Sequence, residues 1–399
     1  MANSTYGALP TTIFAVMSDL ARAHGAINLG QGFPDEAGPL AIREVAAEAV
    51  LNGDNQYPPM PGTARLREAV ARHYARFQGL DLDWKTEVTV TSGATEALAC
   101  AFLGLIEPGD EVVMFQPLYD SYLPMVRRAG GVAKLARLEP PHWRFDRAML
   151  EAVFTPRTRL VVLNNPLNPT ATVSSEEDLA LIAEFCVRHD AIALCDEVWE
   201  QIVFDGARHR PLMAFPGMRE RCVKIGSAGK MFALTGWKVG FMMASPPLTA
   251  ALAKAHQFLT FTTAPNLQAA VAWGLANSDA WFAAMPGDLA RSRDRLTAAL
   301  RREGFAVLES SGTYFLNVDL AASGVPGDDM SFCLRAVKDA GVAAIPVSAF
   351  YEENPVTSVI RLCFAKRDET LDEGARRLGR ARDLSIQHER GKKRDAAAG

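Results

Sequence analysis

The sequence predicts an α/β protein in two parts, a large domain with a mostly parallel sheet sandwiched by helices and a smaller α+β domain. Three observations carry this. The chain has 399 residues, more than one simple core organises at roughly 150 residues per domain. Through its middle, short β-branched runs alternate with longer amphipathic stretches, the pattern of strands joined by crossover helices. Beyond about residue 280 that alternation gives way to a long charged helix followed by shorter strands and helices.

The elements follow in order. The first forty or so residues, rich in Gly and Pro around Gly30-Gln31-Gly32-Phe33-Pro34, do not read as a βα unit and can join either domain. After Pro61-Gly62, the residues Leu66, Val70, Tyr74 and Phe77 recur at helical spacing. Candidate strands are Val88–Thr91, Val112–Phe115, Leu160–Leu163, Ile192–Cys195, Val223–Ile225 and Val239–Met243. Ser174-Ser175-Glu176-Glu177 reads as a capping box, with Ser174 facing Glu177, that opens a helix to about His189. The long charged helix is expected near Gly287–Glu303, and later strands at Gly312–Val318 and Val359–Ala365. The basic cluster Arg390 to Arg394, in HERGKKRDAAAG, reads as a frayed, solvated tail.

Composition narrows the function classes. With 49% hydrophobic and 22% charged residues the chain is neither disordered nor collagen-like nor a coiled coil. Forty-two basic against 46 acidic residues leave a net charge of −4, which gives no electrostatic case for a nucleic-acid or membrane-surface partner. The cysteines (Cys100, Cys186, Cys195, Cys222, Cys333, Cys363) show no CxxC pairing and no partnered His spacing. No metal site is expected, and the thiols read as buried in a reducing cytosol. The start, MANSTYGALP, lacks the pattern of a signal peptide, and no run approaches the ~18 apolar residues that span a bilayer. A cytoplasmic protein is expected.

Five motifs carry chemistry. Lys230, in Ser227-Ala228-Gly229-Lys230, follows a small-residue turn at the carboxyl end of a strand, where ligands gather in open α/β sheets. A partly dry lysine there can lose its proton and act as a nucleophile. Taken alone, it reads as readily as a surface lysine. Asp196 ends an apolar strand in Cys195-Asp196-Glu197-Val198 and can pair with a cationic ring nitrogen, or merely cap a helix. In Thr91-Ser92-Gly93-Ala94-Thr95 a strand gives way to a helix whose free N–H groups suit a phosphate, with a plain cap as the alternative. In Asn164-Asn165-Pro166-Leu167-Asn168-Pro169 two X-Pro bonds bracket Asn168, either to hold its side chain in fixed aim or as an ordinary loop. Arg361, inside the apolar strand VIRLCFA, needs a partner or a crevice, and its fork suits a carboxylate unless it lies on an edge strand.

Together, the segments LGQGFPDE, NQYPPMPGTARLREA, TSGATEAL, FQPLYDSY, NNPLNPT, CDEV, SAGKMFALTGWKVG, GTYFL and IRLCFAK resemble the fold-type I, class I/II aminotransferases that use pyridoxal 5′-phosphate. They run from Leu29 to Lys366. FxPxYDSY and GVAAIPVSAF, at 341–350, are most similar to the methionine/kynurenine/glutamine aminotransferase branch, bacterial methionine aminotransferases in particular.

The resemblance implies a role for each residue. Lys230 is the Schiff-base lysine, Asp196 the partner of the pyridinium nitrogen, and Asn168 a donor to the ring's phenolic oxygen. Tyr119 stacks on the ring, while Ala94, Thr95, Ser227 and Lys238 hold the phosphate. Arg361 clamps the substrate α-carboxylate with help from Gly32 and Asn168. Tyr57 reaches the phosphate of a neighbouring subunit's cofactor, so a homodimer with shared active sites is expected. Phe14, Tyr119, Phe350 and, from across the dimer, Phe261 line an apolar side-chain pocket. The implied organisation is an N-terminal segment (1–45) packing with the small domain, a large cofactor-binding domain (46–285), a small domain (286–388) and a flexible tail (389–399).

The implied reaction is ping-pong transfer of the α-amino group of an apolar or aromatic L-amino acid (methionine, Phe/Tyr, Gln or kynurenine type) to a 2-oxo acid. A cysteine S-conjugate β-lyase, which uses the same carbanion, is the alternative. An acyl-enzyme of the penicillin-binding type fails because no SDN or KTG element accompanies the SxxK. A DNA-binding regulator on this fold would need an added N-terminal domain, and the pattern already begins at Leu29. One residue departs from the family: Trp199 stands where tyrosine is usual, and an indole N–H donates but neither accepts nor ionises.

Overall fold

The structure, a computed structural model, describes residues 3–398, with side chains described through residue 391. Its strands are β1 (Ile27–Asn28), β2 (Val88–Thr91), β3 (Glu111–Gln116), β4 (Val132–Arg137), β5 (Thr158–Asn164), β6 (Ile192–Asp196), β7 (Cys222–Ser227), β8 (Gly240–Met243), β9 (Ala306–Val307), β10 (Phe315–Asp319), β11 (Val342–Ala343), β12 (Ile345–Pro346) and β13 (Val359–Cys363). Strands β2 to β8 form one sheet in the order β2-β8-β7-β6-β5-β3-β4. Neighbours from β7 through to β4 are parallel, whereas β8 runs antiparallel to both β7 and β2. Strands β2, β3, β6, β7 and β8 are buried at every residue, covered on both faces, which is why they read as largely β-branched and apolar, with Lys224 in β7 as an exception.

All six strands expected in this region are present. The unexpected one, β4, is the sheet edge: half-exposed, with Lys134 and Arg137 breaking its apolar signal. Two apolar clusters fill the two faces, one around Phe102, Met114 and Leu194, the other around Tyr74, Phe185 and Phe241.

The helices show how local sequence fixes their ends. Helix α1 (Ala64–Gln78) starts at Thr63, whose hydroxyl accepts from Leu66 N, buries Leu66, Val70 and Tyr74, and stops at Gly79 in the left-handed region. Helix α2 (Ala94–Leu105) follows β2 directly. The capping box of α3 (Glu176–Arg188) lies one residue later than expected: Ser175 and Asp178 exchange the two bonds, while Ser174 N donates to Asn165 Oδ1 and belongs to the loop. Helix α4 (Asp279–Arg302) begins well before Gly287 and carries Pro286 within it, because buried Phe282 and Met285 anchor the turns that proline would otherwise end.

Beyond α4, the order β12-β13-β10-β9 makes a second, antiparallel sheet. The expected strand from Gly312 begins only at Phe315, since Thr313 turns the chain at φ 63°. The other ends at Cys363. Strand β1 pairs in parallel with β11, which ties the N-terminal segment to this part of the chain. The final helix α5 (Asp368–Ala398) continues through the stretch expected to be a flexible tail. Within its basic cluster, the side chains from residue 392 on lie outside the described residues.

Candidate active site

Strands that run parallel present their carboxyl ends to one crevice, and here those ends enclose a cavity of about 160 Å³. Ala94, Thr95, Tyr119, Asn168, Asp196, Trp199, Ser227, Lys230 and Lys238, all picked out from the sequence, line it. Five segments distant in sequence thus converge on one hole.

One end is built for an anion. Gly93, at φ 79°, turns the chain from β2 into α2 so that the helix's first N–H groups open on the cavity. Lys238, itself left-handed at φ 53°, lays its side chain against Gly93, where an added Cβ would lie 3.1 Å from Cε and 3.3 Å from Nζ. Gly240 permits this approach, for a Cβ there would lie 2.6 Å from the Gly93 carbonyl carbon and 2.8 Å from Ala94 N.

The floor is Asp196, 4% exposed at the end of β6. Its Oδ2 accepts from the Tyr122 hydroxyl at 2.5 Å, and Oδ1 has no partner. Burial raises the carboxyl pKa, opposed by the Tyr122 hydrogen bond. A buried oxygen without a donor is costly unless a ligand supplies one. Asn164 braces this corner: its Nδ2 donates to Asp196 O at 2.8 Å and its Oδ1 accepts from Asn168 N at 2.8 Å. Tyr119 forms part of the wall, its hydroxyl pushed up to about 12 chiefly by burial.

Lys230, on the short turn after β7, donates to the Tyr314 hydroxyl at 3.0 Å and lies 4.5 Å from the Trp199 ring centre. Burial, joined by the positive charges of Arg361 and Lys238, lowers its ammonium to about 8. Trp199 is 3% exposed and meets Tyr314 edge-on at 4.4 Å.

Arg361, on β13, is 1% exposed. It donates to Asn168 Oδ1 at 2.8 Å and Gly30 O at 2.9 Å, both neutral acceptors, and its Nε has no partner. Three rings surround the guanidinium, with centres at 3.9 Å (Phe315), 5.2 Å (Phe14) and 5.3 Å (Phe350). Burial lowers its pKa to about 10. Gly32 lies alongside, and a Cβ there would come within 2.9 Å of the Phe315 ring.

Arg361, Gly32, Phe14 and Phe350 gather beside the cavity rather than in its lining, joined to it through the Arg361–Asn168 bond, and two further expected residues lie apart. Tyr57 and Phe261 stack edge-on at 5.6 Å on the outer surface, 84% and 40% exposed. Conversely, Tyr122, Asn164 and Tyr314 had no role assigned from the sequence, although each lies in a segment quoted above. The available signal was a phenol within an apolar stretch, which needs a partner once buried. Behind the floor lies a charged network. Lys224, fully buried in β7, touches Glu197 Oε2 and Glu200 Oε2. Tyr74 donates to Glu200 at 2.5 Å and His209 meets Glu197 at 3.0 Å. Burial opposes ionisation of Glu197, yet Lys224 and His209 hold it down at about 2.

These residues fit pyridoxal 5′-phosphate: a helix start and an ammonium for the phosphate, an orphaned carboxylate oxygen for a ring N–H, and a lysine of lowered pKa between them. Residues 24–378 match the family described as Aminotransferase class I and II. The chain is 47% identical to a probable N-succinyldiaminopimelate aminotransferase of Mycobacterium tuberculosis, over 92% of this chain and 95% of that one. The solved structure of N-succinyldiaminopimelate aminotransferase from that organism superposes with a TM-score of 0.93, covering 96% of this chain and 100% of that one at 47% identity. Methionine aminotransferase of Escherichia coli is 44% identical (93% and 96% covered), and kynurenine–oxoglutarate transaminase 3 of Mus musculus 34% (91% and 86%). The chain belongs to the class I and II aminotransferases, enzymes dependent on pyridoxal 5′-phosphate.

Proposed function

We propose that the enzyme moves the α-amino group of an apolar or aromatic L-amino acid, of the methionine, Phe/Tyr, Gln or kynurenine type, to a 2-oxo acid by a ping-pong mechanism. The observation that carries this is Arg361, a buried guanidinium bonded only to neutral oxygens and ringed by Phe14, Phe315 and Phe350. A carboxylate supplies its missing charge, and the surrounding rings favour an apolar side chain. The mycobacterial relative's name supports a second reading, a succinylated diamino acid as donor.

The cofactor, when bound, supplies an electron sink for negative charge at the substrate Cα. Asp196 Oδ1 accepts the ring N–H and keeps that nitrogen cationic. Lys238, Ser227 and the N–H groups of Ala94 and Thr95 hold the phosphate, Tyr119 packs on the ring, and Asn168 meets its phenolic oxygen. Arg361, with Gly32 and Asn168, orients the carboxylate so that the Cα–H faces Lys230. Lys230 Nζ, neutral above about pH 8, takes that proton and returns it two atoms further along, to the carbon beyond the amino nitrogen. The active unit is a homodimer in which Tyr57 and Phe261 complete the neighbouring subunit's site, in keeping with their exposure here. A cytoplasmic setting suits six free, buried thiols. No described helix is long and apolar enough to cross a membrane.

The test is the visible spectrum of the purified protein before and after adding L-methionine without a 2-oxo acid. Bleaching of the yellow band supports amino transfer from a methionine-type donor. A band that persists while pyruvate and ammonia appear from a cysteine S-conjugate overturns it in favour of a lyase. A kcat/KM far higher for the succinylated donor than for methionine selects the second reading.

A further inference from the structure

We propose that Tyr314 is a positioning residue for Lys230, and that it ties the lysine to the loop that also serves Arg361. The inference rests on the reading of Lys230 as the reacting amine. Tyr314 is 1% exposed, so its hydroxyl needs partners within the protein. It donates its only proton to Gly32 O at 2.5 Å. Toward Lys230, 3.0 Å away, the same oxygen is therefore purely an acceptor. A neutral amine with one N–H held there has its lone pair confined to the two remaining tetrahedral directions, whereas a free amine would rotate through all three. Burial raises the Tyr314 phenol far above its ordinary range, so the proton on Gly32 stays in place at every working pH.

Trp199 makes this arrangement necessary. The indole offers Lys230 a ring face at 4.5 Å but no acceptor atom. It packs edge-on against Tyr314 at 4.4 Å and fixes the phenol's orientation. Gly30 O accepts from Arg361 and Gly32 O from Tyr314, so two carbonyls of one short loop hold the carboxylate clamp and the base's partner. Movement of the loop as Arg361 takes up a carboxylate is thereby felt at Lys230.

Tyr314→Phe keeps the ring and deletes the acceptor. In the cofactor-free chain, the midpoint for acetylation of Lys230 by acetic anhydride, read on its peptide by mass spectrometry, falls by about one pH unit, because the ammonium loses a partner. In the holoenzyme, kcat for L-methionine drops about tenfold or more, KM changes less, and the acid limb of the kcat profile, set by the base, moves to lower pH. Trp199→Tyr in the Tyr314→Phe background brings a hydroxyl from the other side and recovers most of the loss. Should Tyr314→Phe fail to fold, 3-fluorotyrosine at position 314 preserves shape with a weaker acceptor and gives a smaller shift in the same direction. An unmoved Lys230 midpoint with kcat within about twofold of wild type overturns the proposal. A wild-type protein that binds no cofactor and transfers no amino group defeats the functional reading instead, and the acetylation midpoint still reports on Tyr314 alone.

Discussion

Replacing Lys224 by methionine tests the charged layer beneath the site. The ammonium is fully buried between Glu197 and Glu200, and the carboxylate oxygens of these two residues lie within 4.8 Å of each other. Methionine fills similar space but leaves two anions facing each other. At an effective dielectric of about 20 that repulsion is worth at least about 3.5 kcal/mol. Breaking a buried pair from one side generally costs about 3–5 kcal/mol, so a loss in that range is expected near neutral pH. The sign with pH is fixed. In the native protein Lys224 and His209 hold Glu197 at about 2, so it stays ionised. In the variant, burial and the facing carboxylate raise one acid above its unfolded value, and its protonation stabilises the fold as pH falls. Urea unfolding near neutral pH and at about pH 5 should show the deficit shrinking on acidification. Adding Glu200→Gln should restore more than half of it. A deficit below about 1 kcal/mol, or one independent of pH, refutes the reasoning.

Asp196→Asn leaves no charge to keep a ring nitrogen cationic; kcat is expected to fall at least about a hundredfold with little change in melting temperature, and an active variant would dismiss the role given to Oδ1. Gly240→Ala drives a Cβ into the backbone of Gly93 and Ala94, so the cofactor Kd from reconstitution titrations is expected to rise about tenfold or more; an unchanged Kd would mean that this loop does not hold the phosphate. His73, 3% exposed, is held at about 3 by burial and the positive charges of Lys224 and Arg76. Its neutral form stabilises the fold above the unfolded value of 6.5, and that contribution, up to roughly 4 kcal/mol, is lost as pH falls toward 3. His73→Gln should flatten the stability profile across that window, and an unchanged slope would clear His73 of acid sensitivity.

The central strands were legible because they are buried on both faces and therefore rich in apolar and β-branched residues, whereas β4, at the edge, was not. Helix ends were legible to within a residue or so where side-chain caps mark them, as at Ser175, and misplaced where tertiary packing carries a proline through, as at Pro286. Ala94, Thr95, Asn168, Asp196 and Lys230 stood out because each lies at or just past the end of a strand, whereas Tyr119, Trp199, Ser227 and Lys238 were marked only by the family resemblance. The partners Tyr122 and Tyr314 did not stand out, because a phenol's usefulness depends on which atom lies across from it, and sequence spacing does not encode that distance. Lys224 was hidden for the opposite reason: inside a buried strand one charge looks like an error until its two acids are seen.

The one strand of the large sheet that runs against both its neighbours, β8, has a consequence for how this protein can change. Because the chain doubles back after β7, Lys230 and Lys238 sit on a single connection between Ser227 and Gly240, anchored at both ends by the β7–β8 pairing. The span from amine to phosphate clamp is therefore a matter of loop length, and the sheet cannot correct it by sliding. Buried Met231, Phe232 and Val239 pin the connection to the core, and Gly229 has little room for a Cβ beside Thr235, so its path as well as its length is fixed. One residue inserted between the two lysines would move one ammonium relative to the other and put the two halves of the site out of step.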